Sequence, residues 1–324
     1  MTSTASANAT LATLGGRSMG TTWSVKLVVP PARDLHPLHA GIQAALDRVV
    51  AQMSTWEAGS DISRYNAAPA GHWQALPEEF HTVLQTALQI AQASGGAFDP
   101  TVGPMVELWG FGAAPGRHQV PSSEQIALAS LRCGWQRVEL VRGRVLQAGA
   151  VALDLSAIAK GYGVDCVHHT LLQAGVASAL IEVGGELFGY GRKPDGSAWH
   201  VLVESAADED AGAALPARVL VLDGLAVATS GDRWHRFDAG GTRYAHTIDP
   251  RTGAPVPHAP AAVTVLAADA MHADAWATAM TVLGPEAGLA HARIAELAVR
   301  FLARQGGALH ESMSPAFERH LADA

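Results

Sequence analysis

Five short stretches with strand character, residues 178–183, 187–191, 200–204, 218–222 and 225–229, follow one another with Gly or Asp turns between them. Parallel neighbours need a crossover of about a dozen residues or more, usually a helix, and only one of these connections could hold one. A doubly wound parallel sheet is therefore disfavoured. The expected fold class is α+β, with a mixed, largely antiparallel sheet and packed helices. With 324 residues, 48% of them hydrophobic and 16% charged, the chain can bury a large core.

The rest of the chain is read by period. Residues 23–29 alternate apolar and polar side chains up to Pro30-Pro31, as a half-buried strand does. Ile42, Ala45, Leu46, Val49, Val50 and Met53 have helical spacing, and the pattern stops at Ser54-Thr55-Trp56. The segment EAGSDISRYN that follows reads as polar and turn-rich. A second amphipathic helix is expected over 80–91. Residues 97–112, AFDPTVGPMVELWGFG, carry too much Gly and Pro for a long helix and suit either a loop around a flat ligand or a packed surface loop. Residues 112–123 read as a linker, 124–132 as a short helix and 138–146 as a hairpin turning at Arg142-Gly143. A strand at 262–266, helices near 270–283 and 285–297, a strand at 300–303 and a frayed end complete the reading. Residues 1–15 are expected to be a flexible tail ahead of one folded domain, 16–324.

Several function classes are disfavoured. The formal net charge is −8 and no block of five Lys or Arg occurs, which argues against nucleic acid or an anionic membrane as main partner. Two cysteines, Cys133 and Cys166, cannot build a disulfide framework or a Cys-rich metal site. No apolar run approaches the roughly 18 to 20 residues of a membrane helix.

Three segments carry chemistry. In DLSAIAKGYGVD, residues 154–165, an apolar run (Val151, Leu153, Leu155) reads as a short buried strand and passes into a helical pattern of Ile158, Tyr162, Val164, Cys166 and Leu171. The first amides of such a helix lack partners and carry the positive end of its dipole, which suits an anion such as phosphate. Lys160 adds a full charge, and Gly161 and Gly163 permit close approach. The plainer alternative is a cap followed by an ordinary amphipathic helix. In MHADAWATAM, Asp274 and Thr278 stand i, i+4 on one helix face, hard oxygens of the kind Mg²⁺ takes. The alternative is a Thr bonded back to its own helix and a solvated Asp. In RYAHTIDPRTG, His246 alternates with Ile248 ahead of a turn at 249–253. Its imidazole suits general-base chemistry, although a lone histidine among 15 is more often structural.

In this same order the chain resembles the FAD:protein FMN transferase family, often called ApbE. The stretches that carry the resemblance are GRSMGTTW, MSTWEAGSDISRYN, SGGAFDPTVGPMVELWGFG, DLSAIAKGYGVD, ALIEVGGELFGYG, ATSGD, HTIDPRTG and ADAWATAM. The resemblance implies a T-fold-like α+β core, with 16–324 as the catalytic domain, that binds FAD and Mg²⁺ and moves FMN onto a Thr or Ser of a partner flavoprotein, releasing AMP. It implies cofactor contacts at Met19, Trp56, Ala97, Phe98, Asp99, Asp154, Lys160 and Ile248. It also implies metal ligands at Asp274, Thr278 and the backbone carbonyl of Ala157, and a candidate base at His246. Two other activities would use the same pocket: flavin delivery without turnover, and FAD pyrophosphatase action giving FMN and AMP. Most members of that family are exported lipoproteins, whereas this chain has no signal pattern and its first cysteine is Cys133. It is therefore expected to be cytoplasmic as it stands, or periplasmic if an export segment is missing. After ATSGD the family continues with an aromatic-rich run; here the run is RWHRF.

Overall fold

The computed structural model describes residues 9–112, 118–203, 215, 218–231, 236–257, 259–305 and 308–322. A hairpin of β1 (Thr10–Ser18) and β2 (Thr21–Val29) is followed by α1 (His36–Met53) and the short α2 (Asp61–Ala67). Next come β3 (Trp73–Ala75), α3 (Glu78–Ala93), α4 (Gly103–Leu108) and α5 (Ser123–Ser130). The hairpin of β4 (Glu139–Val141) and β5 (Arg144–Leu146) leads to α6 (Ala159–Gln173). The strand-rich half holds β6 (Ala179–Val183), β7 (Glu186–Tyr190), β8 (Trp199–Leu202), β9 (Val219–Leu222) and β10 (Leu225–Ser230). It continues through β11 (Arg236–Ala239), β12 (Thr242–Ala245), β13 (Ile248–Asp249), β14 (Ala254–Pro255) and β15 (Ala262–Ala267). Last are α7 (Ala270–Ile294), β16 (Ala298–Gln305), β17 (Ala308–Met313) and α8 (Pro315–Glu318).

Eight strands in the order β1-β2-β6-β7-β10-β15-β16-β17 form the main sheet, antiparallel at every pairing. The α+β expectation holds: short links account for the antiparallel β1-β2, β6-β7 and β16-β17 pairs, whereas β15 and β16 are antiparallel although the whole of α7 joins them. Alternation along the strands splits the core in two. Val25, Leu27, Ile181, Ala228, Val265 and Phe301 face α1, α6 and α7, whose own buried stripes include Ile42, Leu46, Val164, Val167 and Met280. On the opposite face Leu187, Val227 and Leu266 meet Trp199, Leu220 and Leu222 of the β8-β9 hairpin and Phe317 of α8. Each fully buried side chain of this size is worth about 1.5 to 3 kcal/mol. No helix among the described residues is long and apolar enough to cross a membrane.

Five expectations need correcting. Residues 151–155 are buried but are not a strand. Leu153 exchanges both its backbone hydrogen bonds with the side chain of Asn66 (2.7 and 2.9 Å), and the Asp154 amide donates to the Pro100 carbonyl (2.7 Å). The expected flexible tail is structured from Thr10 onward as β1, while residues 1–8 lie outside the described residues. The turn-rich segment after Trp56 contains α2, capped by Ser60, whose side chain accepts from the Ser63 amide (3.1 Å). The expected frayed end is β17 and α8, the latter capped by Ser314. The break expected between two late helices is a kink in α7, at Gly284 (φ 74°) and Pro285. Part of the expected linker (113–117) and most of RWHRF (233–235) lie outside the described residues.

Candidate active site

The start of α6 and the start of α7 lie against each other. A Cβ on Gly161 would overlap the Ala270 carbonyl oxygen and come within 2.9 Å of the Asp274 Cβ, so only glycine permits this approach. Two acidic side chains cap α7. Asp269 accepts from the His272 amide (2.8 Å), and Asp165, reaching over from α6, accepts from the amides of Ala270 (2.8 Å) and Met271 (2.9 Å). α7 is thereby clamped onto α6 with Asp274 one turn in.

The anion expected at the α6 N-terminus is in part supplied by the protein. The Gly161 amide donates to Asp274 Oδ2 (3.0 Å), and among the described residues no amide closes a helical bond on the Ala157 carbonyl. Asp274 is 5% exposed, which overturns the solvated alternative. The Thr278 hydroxyl forms no hydrogen bond among the described residues, whereas Thr281, three residues on, is bonded back to the Ala277 carbonyl (2.8 Å). The back-bonding alternative therefore describes Thr281 and not Thr278.

Lys160 does not stand alone. Its ammonium is hydrogen-bonded to Glu186 Oε1 and lies 3.9 Å from Asp274 Oδ1. Burial works against the charge of Lys160, but the carboxylates of Asp274 and Glu186 outweigh it and hold the ammonium above the usual lysine range. Burial pushes the Glu186 carboxyl up to about 7, against the pull of Lys160 and with the help of Asp274. Asp274 is likewise raised by burial, opposed by Lys160 and the Gly161 amide.

Two turns close this group from the side. Met19 has φ 51° in the β1-β2 turn, and a Cβ on Gly163 would lie 2.8 Å from its Cε, so Met19 rests on α6. A Cβ on Gly184, in the β6-β7 turn, would lie 2.8 Å from Thr21 Cγ2 and 3.5 Å from Lys160 Cδ. Met19, Ala157, Lys160, Asp274 and Thr278 are thus brought to one place.

The other sequence-derived residues gather around the 97–112 segment. Asp154 accepts from the Ser156 amide (2.8 Å) and hydroxyl (2.6 Å) and faces Gly103, where a Cβ would be 2.9 Å from its own. Together with Thr55, Asn66, Glu107 and Arg132 they line a cavity of about 280 Å³. Ala97 and Phe98 are buried, and Asp99 is committed to Thr101, accepting from its amide (2.8 Å) and hydroxyl (2.6 Å). Ile248 is buried with Met105 and Trp109, and the Trp109 indole donates to the Gly253 carbonyl (2.9 Å), tying α4 to the turn after His246. His246 meets Phe111 edge-on at 6.4 Å between ring centres. Asp249 is bound by Arg251 through Nε and Nη2 (both 2.8 Å) and through its amide (3.0 Å), a turn-forming role. Trp56 is 69% exposed, beside Thr55 of the cavity.

Glu186 and Asp165 were not singled out from the sequence. The signal was there: both are acids at positions whose period is apolar, Glu186 opposite Val183 in the hairpin and Asp165 beside Val164 in the buried stripe of α6.

The sequence profile described as the ApbE family matches residues 19–301 of this chain. The chain belongs to the ApbE family. Among its ApbE relatives, the FAD:protein FMN transferase of Klebsiella pneumoniae is 33% identical, over 99% of this chain and 92% of that protein. The FAD:protein FMN transferase of Escherichia coli K12 is also 33% identical, over 95% and 88%. The apo structure of the Pseudomonas stutzeri flavinyl transferase ApbE superposes with a TM-score of 0.90 at 37% identity, covering 98% of both chains. The flavin transferase ApbE of Vibrio cholerae gives 0.89 at 32% identity, over 97% of this chain and 100% of that one.

Proposed function

We propose that this chain is an FAD:protein FMN transferase that moves the FMN half of FAD onto a Thr or Ser hydroxyl of a partner flavoprotein. The observation that carries the reading is the buried Lys160–Asp274 group, set at the abutting starts of α6 and α7 by Gly161, in a chain alike over nearly its whole length to transferases of that name. The same reading takes 16–324 as one catalytic domain, supported by a main core that runs from β2 to β16.

Residues for a Mg²⁺ ion fit in kind. Asp274 keeps Oδ1 clear of the Gly161 amide, the Ala157 carbonyl has no donor and the Thr278 hydroxyl is unspent among the described residues, a set of hard oxygens that leaves room for phosphate and water. Among the described residues no cluster of three or more His, Cys, Asp or Glu offers a different metal site. When bound, the cation would supply charge neutralisation at the pyrophosphate.

The remaining work falls to the chain. Lys160 places a fixed positive charge beside the pyrophosphate. The acceptor oxygen attacks the FMN phosphorus as the bond from that phosphorus to the AMP oxygen breaks, and AMP leaves. The hydroxyl proton passes to His246, whose imidazole is the side chain best matched to such a transfer near neutral pH. Met19, Trp56 and Ile248 bound the space for the flavin. Ala97, Phe98 and Asp99 act through the shape of their loop, being buried in protein, and Asp154 holds the entry to α6. The protein supplies position and electrostatics rather than a nucleophile of its own.

The test is to incubate the protein with FAD, Mg²⁺ and a candidate acceptor and to quantify AMP, free FMN and protein-bound FMN. Transfer predicts bound FMN equal to AMP. Free FMN equal to AMP would make the protein a pyrophosphatase, and absence of AMP a delivery protein.

A further inference from the structure

We infer that Glu186 is a positioning residue, whose task is to hold the Lys160 ammonium off the one oxygen of Asp274 that is open to a cation. The inference rests on the metal reading above.

Asp274 has two oxygens, and Oδ2 is taken by the Gly161 amide. Oδ1 is the one left, and Lys160 Nζ lies 3.9 Å from it, beyond hydrogen-bond distance. Lysine ends a flexible four-carbon stem, so nothing in its own covalent structure keeps it there. What keeps it there is the competing carboxylate of Glu186, to which it is directly bonded. Glu186 is 3% exposed and stands on β7 just after the turn Gly184-Gly185, whose φ values of 60° and 100° only glycine takes readily. The neighbouring acid, Glu182, has structural work of its own, accepting from the Gly185 amide (3.0 Å) and the Ser24 hydroxyl (3.1 Å). Glu186 does not: its Oε2 is buried and has no partner among the described residues.

Without Glu186, the ammonium has Asp274 as its remaining anionic partner within the protein and moves onto Oδ1. It then occupies the oxygen and cancels the charge that a divalent ion would use. Loss of Glu186 thus weakens cation binding although no ligand has been removed, and the loss depends on Lys160 being present.

The measurement is Mn²⁺ affinity of the FAD-saturated protein, read from the free-ion signal in electron paramagnetic resonance, with thermal unfolding as a check on folding. Glu186→Ala is expected to weaken Mn²⁺ about tenfold, the low end for loss of an outer partner at a metal site. Glu186→Gln, which still accepts a hydrogen bond from Lys160, is expected to lose less, and it serves if the alanine variant does not fold. Lys160→Ala is expected to bind Mn²⁺ at least as well as the parent. The deciding variant is Lys160→Ala with Glu186→Ala, expected to return to within about a factor of two of Lys160→Ala alone. If the double variant binds as weakly as Glu186→Ala or worse, Glu186 acts on the cation by its own charge and the inference is wrong. An unchanged affinity in Glu186→Ala also overturns it, while leaving the metal reading in place. A parent that binds no Mn²⁺ overturns both.

Discussion

Asp274 is a buried carboxylate that both an amide and an ammonium approach without either one satisfying it fully. Its replacement by alanine removes the anionic ligand while leaving Lys160 paired with Glu186, so the variant should fold. AMP production by Asp274→Ala is expected to vanish or to require far more Mg²⁺. Thr278→Val, close to isosteric, should shift the Mg²⁺ requirement less. A Mg²⁺ titration of AMP release in both variants checks this, and unchanged curves would return α7 to a purely structural role. At His246 the expectation is kinetic: His246→Asn should lose on the order of 10²-fold in transfer rate while FAD affinity stays near the parent's, the ring being packed edge-on against Phe111. Equilibrium FAD binding measured with single-turnover transfer separates the two; affinity falling in step with rate would make His246 a packing residue. At this scale the sequence disclosed Lys160, Asp274 and Thr278 because each stands in a motif with a chemical pattern. It hid what those residues touch. Glu186 and Asp165 act through partners distant in sequence, and a single chain read by period shows only that acids stand where apolar residues belong.

Between elements, the decisive contact is α6 against α7. Gly161→Ala would drive a Cβ into the Ala270 carbonyl, and backbone cannot yield as a flexible side chain can, so the helices must part. We expect a loss of 1–3 kcal/mol, about the usual cost of overpacking, read by urea unfolding, together with weakened FAD binding; parent-like stability would show that the helices can separate freely. The cap of α7 makes a prediction about pH. The hydrogen bond to Asp269 raises the pKa of His272 against its partial burial, and the bonds from His272 lower that of Asp269 against burial. The raised histidine contributes stability that is full below about 6.5 and is lost as pH rises through its folded value; the lowered aspartate contributes above about 3.9 and is lost as pH falls through its own. The pair therefore stabilises most between those limits. Both side chains are about 40% exposed, which keeps the charge contribution under about 1 kcal/mol. The stability difference between parent and His272→Ala should be larger at pH 5.5 than at pH 9, and a difference that grows with pH would refute the sign. Helices were legible from their apolar stripes. The segment 151–155 has the alternation of a strand without being one, because alternation reports burial, and its backbone partners are a side chain, Asn66, and a loop carbonyl at Pro100.

For the molecule as a whole, connection length told more than propensity. Short links between successive strands implied antiparallel pairing, and the main sheet is antiparallel throughout. Within this sheet the strands not expected from the sequence, β1 and β17, are the outermost, and β1 buries no residue fully, so its alternation is faint against a polar background; the short β3 and β11 to β14, outside this sheet, are likewise not expected. The sheet matters to function through what it places: β6 and β7 turn at Gly184-Gly185 to set Glu186 under Lys160, while β15 delivers α7. A fold that joins the starts of two helices to two hairpin turns gathers residues from positions 19 to 278. The direct test of the whole account is mass spectrometry of an acceptor flavoprotein after incubation with FAD, Mg²⁺ and either the parent protein or Asp274→Ala. The account predicts FMN in phosphodiester linkage to a Thr or Ser of the acceptor with the parent, and none with the variant at the same Mg²⁺ concentration. Equal labelling by both proteins would contradict it.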